Sequence, residues 1–100
     1  MMYGLSDETV QKIQNVFAEF PQVLKAVLYG SRAKGNYKTG SDIDLTLFGT
    51  ELNLQIQQKI EHRIDDLLLP YSVDLSVYND ISNEDLKEHI NRVGITFYEA

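Results

Sequence analysis

The sequence contains no cysteine among its 100 residues. This absence excludes a disulfide framework, a thiolate metal site and a cysteine nucleophile. Long hydrophobic runs are also missing, because the apolar stretches are only a few residues long and a membrane span needs about 20. Residues 1–6 have neither a basic region nor an apolar run. We therefore expect no secretory leader, no membrane association and a cytoplasmic location.

Positive charge is scarce, since 15 acidic and 9 basic side chains give a net charge of −6. Residues 51–100 carry ten acids and four bases, whereas residues 1–50 carry five of each. Extended nucleic-acid binding is not expected, because it needs many contacts that neutralise phosphate. The basic loop that holds Arg32, Lys34 and Lys38 suits a small anionic ligand, although a solvated loop explains it about equally well.

The pattern of apolar residues predicts one globular domain over residues 1–100. The first predicted elements are a helix capped by Ser6 and stopped by Pro21, a strand at 23–29, a loop at 30–41 with one helical turn, and a strand at 42–48. They are followed by a helix at about 53–69 and a strand at 72–78. The last elements are a helix capped by Ser82 and stopped by Gly94, and a short strand or extended tail at 95–98. This order predicts an α/β (α+β) fold, in which a small mixed sheet carries most of its helices on one face.

The pair Gly30-Ser31 follows the first predicted strand. Glycine lets the backbone approach an anion closely, and the N–H groups that follow can point at phosphate oxygens. The serine hydroxyl adds a further donor. The same pair is also common in ordinary turns, so it does not by itself identify a phosphate site.

Asp42 and Asp44 stand two residues apart on the second predicted strand, which places both carboxylates on one face, roughly 6.6 Å apart. At an effective dielectric constant near 20 they repel by roughly 2.5 kcal/mol, and a magnesium ion would turn this repulsion into attraction. A solvated strand end would also tolerate the pair. Asp74 lies in the middle of the third strand, where it either faces water or joins the other two acids if the strands are neighbours.

The order of these features is more specific than any one of them. The stretch 28–45 (LYGSRAKGNYKTGSDIDL), followed by Val73-Asp74-Leu75, resembles the minimal nucleotidyltransferases of the DNA polymerase β-like superfamily. The resemblance extends over the whole chain and implies a polymerase β-like nucleotidyltransferase core.

The resemblance also implies roles for individual residues. Asp42, Asp44 and Asp74 would be the catalytic residues and would bind two magnesium ions, with the third acid assisting deprotonation of the attacking hydroxyl. ATP would be bound by a second set, in which Ser41 also steadies the metal-binding loop: Gly30, Ser31, Arg32 and Ser41.

Minimal members of this family commonly pair with an all-helical HEPN protein, often an RNase toxin. The resemblance therefore implies an antitoxin that transfers AMP from ATP to a tyrosine hydroxyl of its partner. Because the catalytic core occupies nearly all of the chain, the acceptor is expected to bind an open surface or to arrive with the partner. Two alternatives stay open, namely an antitoxin that acts by binding alone and nucleotidyl transfer to a small molecule.

Other side chains give weaker signals. Tyr29 and Tyr37 could stack on a base, although such residues more often belong to the core or its rim. His62 and His89 lie on predicted helices among charged neighbours and are predicted to be surface residues. The leucine run 67–69 is predicted to be core.

Overall fold

Residues 2–100 are described by a computed structural model in which helices and strands alternate. In chain order the elements are α1 (Asp7–Ala18), β1 (Lys25–Tyr29), α2 (Ser31–Lys34), β2 (Ile43–Phe48), α3 (Leu54–Asp65), β3 (Val73–Val77), a 3-10 turn (Tyr78–Asp80), α4 (Glu84–Val93) and β4 (Ile95–Glu99). The predicted order is confirmed, and the C-terminal segment is a strand. Within residues 2–100, no helix is long and apolar enough to cross a membrane.

The four strands form one mixed sheet in the order β3-β2-β1-β4. β1 pairs antiparallel with both β2 and β4, whereas β2 and β3 run parallel. Parallel neighbours need a crossover connection, and α3 provides it between β2 and β3. The predicted fold class, a small mixed sheet packed with helices, is confirmed.

The period-2 pattern of β2 decides which face of the sheet is apolar. Ile43, Leu45 and Leu47 are completely buried and belong to the main hydrophobic core. α1 and α3 supply buried residues to the same core, so these two helices cover one face. α4 lies on the other face, where Ile90 packs against Val27 of β1. The alternation of β2 and β3 directs their polar residues to the α4 side.

The helix caps agree with the sequence at α1 and differ by one residue at α4. Ser6 caps α1 as predicted, because its Oγ accepts a hydrogen bond from the Thr9 N–H at 3.1 Å. α4 is capped by Asn83, whose Oδ1 accepts from the Leu86 N–H at 3.1 Å. The prediction that Ser82 is the cap was therefore wrong. Both residue types are good caps, so the choice depends on where the chain turns after the 3-10 segment.

α3 ends earlier than the sequence predicts. The helix stops at Asp65, and Leu68 adopts a left-handed backbone conformation with φ +54°. Leu68 is 88% exposed, whereas Leu67 and Leu69 are partly buried against the main core. The prediction that the whole leucine run is core was thus wrong for Leu68, because the left-handed turn directs its side chain into solvent.

Gly94 ends α4, as predicted, but not through a left-handed turn. Its φ is −62° and its ψ is 140°, a conformation that any residue can adopt. A Cβ at this position would overlap the carbonyl oxygen of Ile90 and lie 2.7 Å from Val27 Cγ1. Glycine is therefore needed here because a Cβ would strike first the carbonyl group of Ile90 in α4 itself and then the Val27 side chain of β1.

Candidate active site

Two of the predicted acids occupy facing positions on neighbouring strands. Asp44 of β2 is paired in register with Asp74 of the parallel strand β3. Adjacent strands lie about 4.8 Å apart, so the two carboxylates share one face at short range. Asp42 stands one residue before β2 and is exposed, as is Asp74. The pairing of β2 with β3 thus supplies the strand neighbourhood that would bring the three acids to one patch.

The electrostatics of Asp44 reflect this arrangement. Burial raises the pKa of its carboxyl above the ordinary value, and the charges of Asp74 and then Asp42 raise it further. The two neighbouring carboxylates therefore make ionisation of Asp44 less favourable. A cation at this patch would relieve that repulsion.

Gly30 brings the backbone directly against Asp44. It follows β1 with φ +75° and ψ −156°, a region that favours glycine. A Cβ built on Gly30 would overlap Oδ2 of Asp44 and lie 3.2 Å from its Cγ. The turn and the carboxylate can both keep their places only while residue 30 has no side chain.

Ser31 begins the single-turn helix α2 beside this glycine. Its carbonyl oxygen accepts hydrogen bonds from the N–H groups of Gly35 at 2.9 Å and Asn36 at 3.2 Å. Among the residues that the structure describes, none is hydrogen-bonded to the Ser31 hydroxyl. That hydroxyl is consequently available to a ligand at the turn.

Arg32 points into the protein. It is only 3% exposed, and its Nε and Nη2 donate to the carbonyl oxygen of Ser41 at 3.1 and 2.7 Å, while Nη1 donates to that of Tyr3 at 2.8 Å. Its guanidinium also lies 5.3 Å from the ring centre of Tyr37 and 4.9 Å from that of Tyr71. These contacts favour a role in fixing the loop, rather than the direct nucleotide contact that the resemblance implies.

Ser41 holds the other end of the loop. Its carbonyl accepts from Arg32, and its Oγ accepts from the Lys38 N–H at 2.8 Å. Both contacts fix the segment that leads into Asp42. The side chains of Lys34 and Lys38 are exposed, which agrees with the explanation of these cations as part of a solvated loop.

Tyr29 and Tyr37 occupy different environments. Tyr29, the last residue of β1, is buried, and burial together with the charges of Asp74 and Asp44 raises the pKa of its hydroxyl. Tyr37 is 39% exposed and lies against Arg32 at the rim of the loop. The core-or-rim prediction therefore describes both tyrosines.

The surface prediction for His89 is wrong. The side chain is half-buried, and its Nε2 accepts a hydrogen bond from the Gly30 N–H at 3.2 Å. Its ring meets Tyr29 edge-on, with 6.2 Å between the ring centres. One signal could have found it, because His89 stands three residues after Leu86 and next to Ile90, on the apolar stripe of the helix.

His62, the second histidine, is exposed on α3, so its surface prediction is confirmed. It borders a groove of about 580 Å³ together with residues of α3 and Phe20. This groove shares no residue with the carboxylate patch or with the Gly30 turn.

The donor set at the patch suits magnesium. The ion prefers hard oxygen ligands and usually takes one or two carboxylates, several waters and substrate phosphates. Gly30, which has no side chain, lets the backbone of the turn lie directly against the Asp44 carboxylate. Within residues 2–100, no three aspartate, glutamate or histidine side chains form a ready-made metal cage. The residues therefore fit an ion shared with bound phosphate better than one held by protein alone.

Comparison with known proteins adds to this geometry. A family model described as "Polymerase beta, Nucleotidyltransferase" matches residues 11–100. No curated protein matches the chain.

Several solved structures share the fold. A toxin–antitoxin complex with AMP-PNP superposes with a TM-score of 0.71 at 18% identity, over 96% of this chain and 75% of that chain. A tri-AMPylated Shewanella oneidensis HEPN toxin in complex with MNT antitoxin gives 0.70 at 16% identity, over 96% and 74%. The MntA-HepT toxin–antitoxin complex gives 0.70 at 16% identity, over 95% and 74%. At these identities the likeness concerns the fold.

Proposed function

Because the chain belongs to the Polymerase beta nucleotidyltransferase family, we propose that it transfers AMP from ATP to a hydroxyl of a partner protein. The observation that carries this proposal is the meeting of Asp44 and Asp74 on parallel strands, next to the Gly30 turn. Nucleotidyl transfer needs carboxylates that can hold a metal ion beside bound phosphate, and this meeting supplies them on the chain of a nucleotidyltransferase family member.

The transfer exchanges one phosphorus–oxygen bond for another. The acceptor oxygen bonds to the α-phosphorus of ATP, the bond from that phosphorus to the bridging oxygen breaks, and pyrophosphate leaves with the electron pair. We assign the acceptor's proton to a carboxylate oxygen of Asp74. Its side chain is exposed and β3 is an edge strand, so an incoming hydroxyl can reach it.

The carboxylates that would hold two magnesium ions are Asp42, Asp44 and Asp74. When bound, magnesium neutralises the triphosphate and supports both the attacking and the leaving oxygen. Asp44 faces Asp74 in the register of β2 and β3, and a cation bound there would relieve the repulsion that raises its pKa. Gly30 lets the turn lie directly against the Asp44 carboxylate, so phosphate bound at the turn and an ion held by Asp44 would be neighbours.

The nucleotide-binding role belongs to the turn after β1. We propose that the Ser31 hydroxyl and the backbone that follows Gly30 donate to the phosphates of ATP. Arg32 and Ser41 support this binding indirectly. The Arg32 guanidinium donates hydrogen bonds to the Ser41 carbonyl oxygen, and these bonds fix the loop between the turn and Asp42.

The proposed partner is a HEPN-type toxin, and the proposed acceptor is a tyrosine hydroxyl on it. Two observations support this choice: complexes of toxin with antitoxin share the fold, and one of them contains a tri-AMPylated HEPN toxin. The chain would then act as an antitoxin in the cytoplasm, where ATP is supplied. The acidic net charge of −6 favours a protein acceptor over an extended nucleic acid.

The test is a labelling assay with a HEPN-type protein from the same organism. The chain, the partner and magnesium are incubated with ATP labelled at either the α- or the γ-phosphate. We expect label on the partner from α-labelled ATP alone, and none after chelation of magnesium or with Asp44→Asn.

A matched control is Glu51→Gln, which removes an exposed carboxylate beyond the opposite end of β2 and should transfer AMP normally. Label that arrives from the γ-phosphate would overturn nucleotidyl transfer. A partner that binds and is neutralised without label would instead identify a non-catalytic antitoxin.

A further inference from the structure

The hydrogen-bond partner of the Gly30 N–H is a side chain from a distant part of the sequence. β2 pairs with β1 as far as Tyr29, and β4 pairs with it only as far as Leu28, so Gly30 lies beyond both ladders. Its N–H donates instead to His89 Nε2 at 3.2 Å, across 59 residues of chain. This N–H therefore does not face the phosphate site, although it belongs to the phosphate-binding turn.

The histidine is held firmly where it meets the turn. α4 packs on β1 through Ile90, and the close approach that Gly94 permits brings the helix against Val27. The His89 ring lies edge-on to Tyr29 with an interplanar angle of 81°. Since Nε2 accepts a hydrogen bond, that nitrogen carries no proton and the ring presents a fixed acceptor to the backbone.

The contact matters because it is one of two hydrogen bonds that fix Gly30. The other runs from the Lys34 N–H to the Gly30 carbonyl oxygen at 3.1 Å and holds only the peptide that follows the glycine. Glycine reaches both signs of φ at little cost, so the peptide before Gly30 could turn over unless a partner holds it. A turned peptide would shift the glycine relative to Oδ2 of Asp44, against which it is packed. A chain of contacts therefore runs from His89 through the Gly30 peptide to the carboxylate.

From these contacts we infer that His89 is a positioning residue for nucleotide binding, which fixes the Gly30 peptide so that the backbone after it faces the phosphates. The inference rests on the proposed function. It assigns no contact between His89 and the nucleotide, because the histidine acts through Gly30.

The test compares three variants of the full chain. His89→Phe keeps an aromatic ring against Tyr29 but removes the acceptor, whereas His89→Gln keeps an acceptor on a flexible side chain. His62→Phe is the matched control, because it makes the same change at the exposed histidine of α3. If His89→Phe fails to fold, His89→Leu replaces it with the same expectations.

For His89→Phe we expect the KM for magnesium–ATP to rise about fivefold to tenfold, as for the loss of one hydrogen bond, with kcat changed less than about threefold. His89→Gln should restore the KM to within about threefold of the wild type. The amide signal of Gly30 in a ¹H–¹⁵N spectrum should shift upfield in His89→Phe and exchange faster with solvent. His62→Phe should match the wild type in each measurement.

An active wild type together with an unchanged KM or an unchanged Gly30 amide in His89→Phe would overturn the positioning role alone. A wild type that neither binds nor uses magnesium–ATP would overturn the proposed function and this inference with it. The two failures are thus distinguished by the wild-type measurement.

Discussion

Gly30 and Asp44 are the pair of residues on which the site depends most directly. The glycine adopts φ +75° and leaves no room for a Cβ beside the carboxylate. Gly35, five residues later, has φ +84°, but a Cβ added there would meet no atom within 4 Å. Gly35 therefore offers the comparison of a positive-φ glycine at which an added Cβ displaces no neighbour.

Gly30→Ala should reduce nucleotidyl transfer by about a hundredfold, because a displacement near 1 Å at a reacting site has an effect of that size. Gly35→Ala should reduce it less than about threefold. Gly35→Ala should lose roughly 1–2 kcal/mol of stability from its left-handed conformation. Gly30→Ala should lose more, because φ +75° with ψ −156° is a conformation essentially confined to glycine, and thermal unfolding measures both losses. Equal activities of the two variants would contradict a special role for Gly30.

The raised pKa of Asp44 makes protein stability depend on pH. As pH rises through the ordinary carboxyl range, the unfolded chain ionises at Asp44 before the folded protein does, so stability is lost. At pH values well below that range both states are protonated, and the residue contributes no difference.

Asp44→Asn should therefore raise the melting temperature in magnesium-free buffer at pH 7, by about 2–5 °C, and leave it nearly unchanged at about pH 2.5. Differential scanning calorimetry at the two pH values measures this. Glu51→Gln is the control. A gain of equal size at both pH values would show that the substitution acts through packing and not through charge.

At this scale, the sequence could indicate the acids but not their supports. The spacing of Asp42 and Asp44 on a strand has a local geometric meaning, and so has Gly30 at a strand end. The hydrogen bonds of Arg32 to Ser41 and of His89 to Gly30 depend on tertiary contacts, which no local pattern encodes. For this reason the sequence predicts a solvent-facing side chain for His89. The nucleotide contact of Arg32 that the resemblance implies stays a prediction.

Among the elements, α4 connects the core to the Gly30 turn. It packs through Ile90 on β1 and carries His89 to Gly30. Its first turn is fixed by the Asn83 side chain, which accepts from the Leu86 N–H. A change at the start of this helix should therefore affect both the free energy of unfolding and the position of His89 at the site.

Asn83→Ala should lower the free energy of unfolding by about 1 kcal/mol, the usual cost of losing an N-cap. Ser82→Ala, one residue earlier and exposed, should change it by less than about 0.5 kcal/mol. Urea unfolding of both variants measures the difference. A larger loss at Ser82 would show that the helix begins one residue earlier.

Elements were easier to predict than their ends or their neighbours. Alternation in β2 and β3 and the helical stripe of α3 are local properties, so each element was found from sequence. The end of α3 at Asp65 was not, because it depends on the left-handed turn at Leu68. The parallel pairing of β2 with β3 does not follow from the sequence, because spacing along a chain does not determine the order of strands in a sheet.

The whole molecule presents the carboxylate patch at an edge of the sheet. β3 is an edge strand, and Asp74 on it is exposed. A partner protein can approach this edge without displacing α1 or α3, which cover the opposite face. The proposed antitoxin role requires this access, because the acceptor hydroxyl must reach both Asp74 and the α-phosphate.

The most direct test of the central claim is the intact mass of the HEPN-type partner after co-expression with the wild type or with Asp74→Asn. Wild type should add one or more AMP groups to the partner. Asp74→Asn should add none, although it still forms the complex, because the substitution changes one exposed carboxylate and leaves the rest of the surface intact. A partner that is unmodified with both proteins and is still neutralised would contradict the catalytic claim.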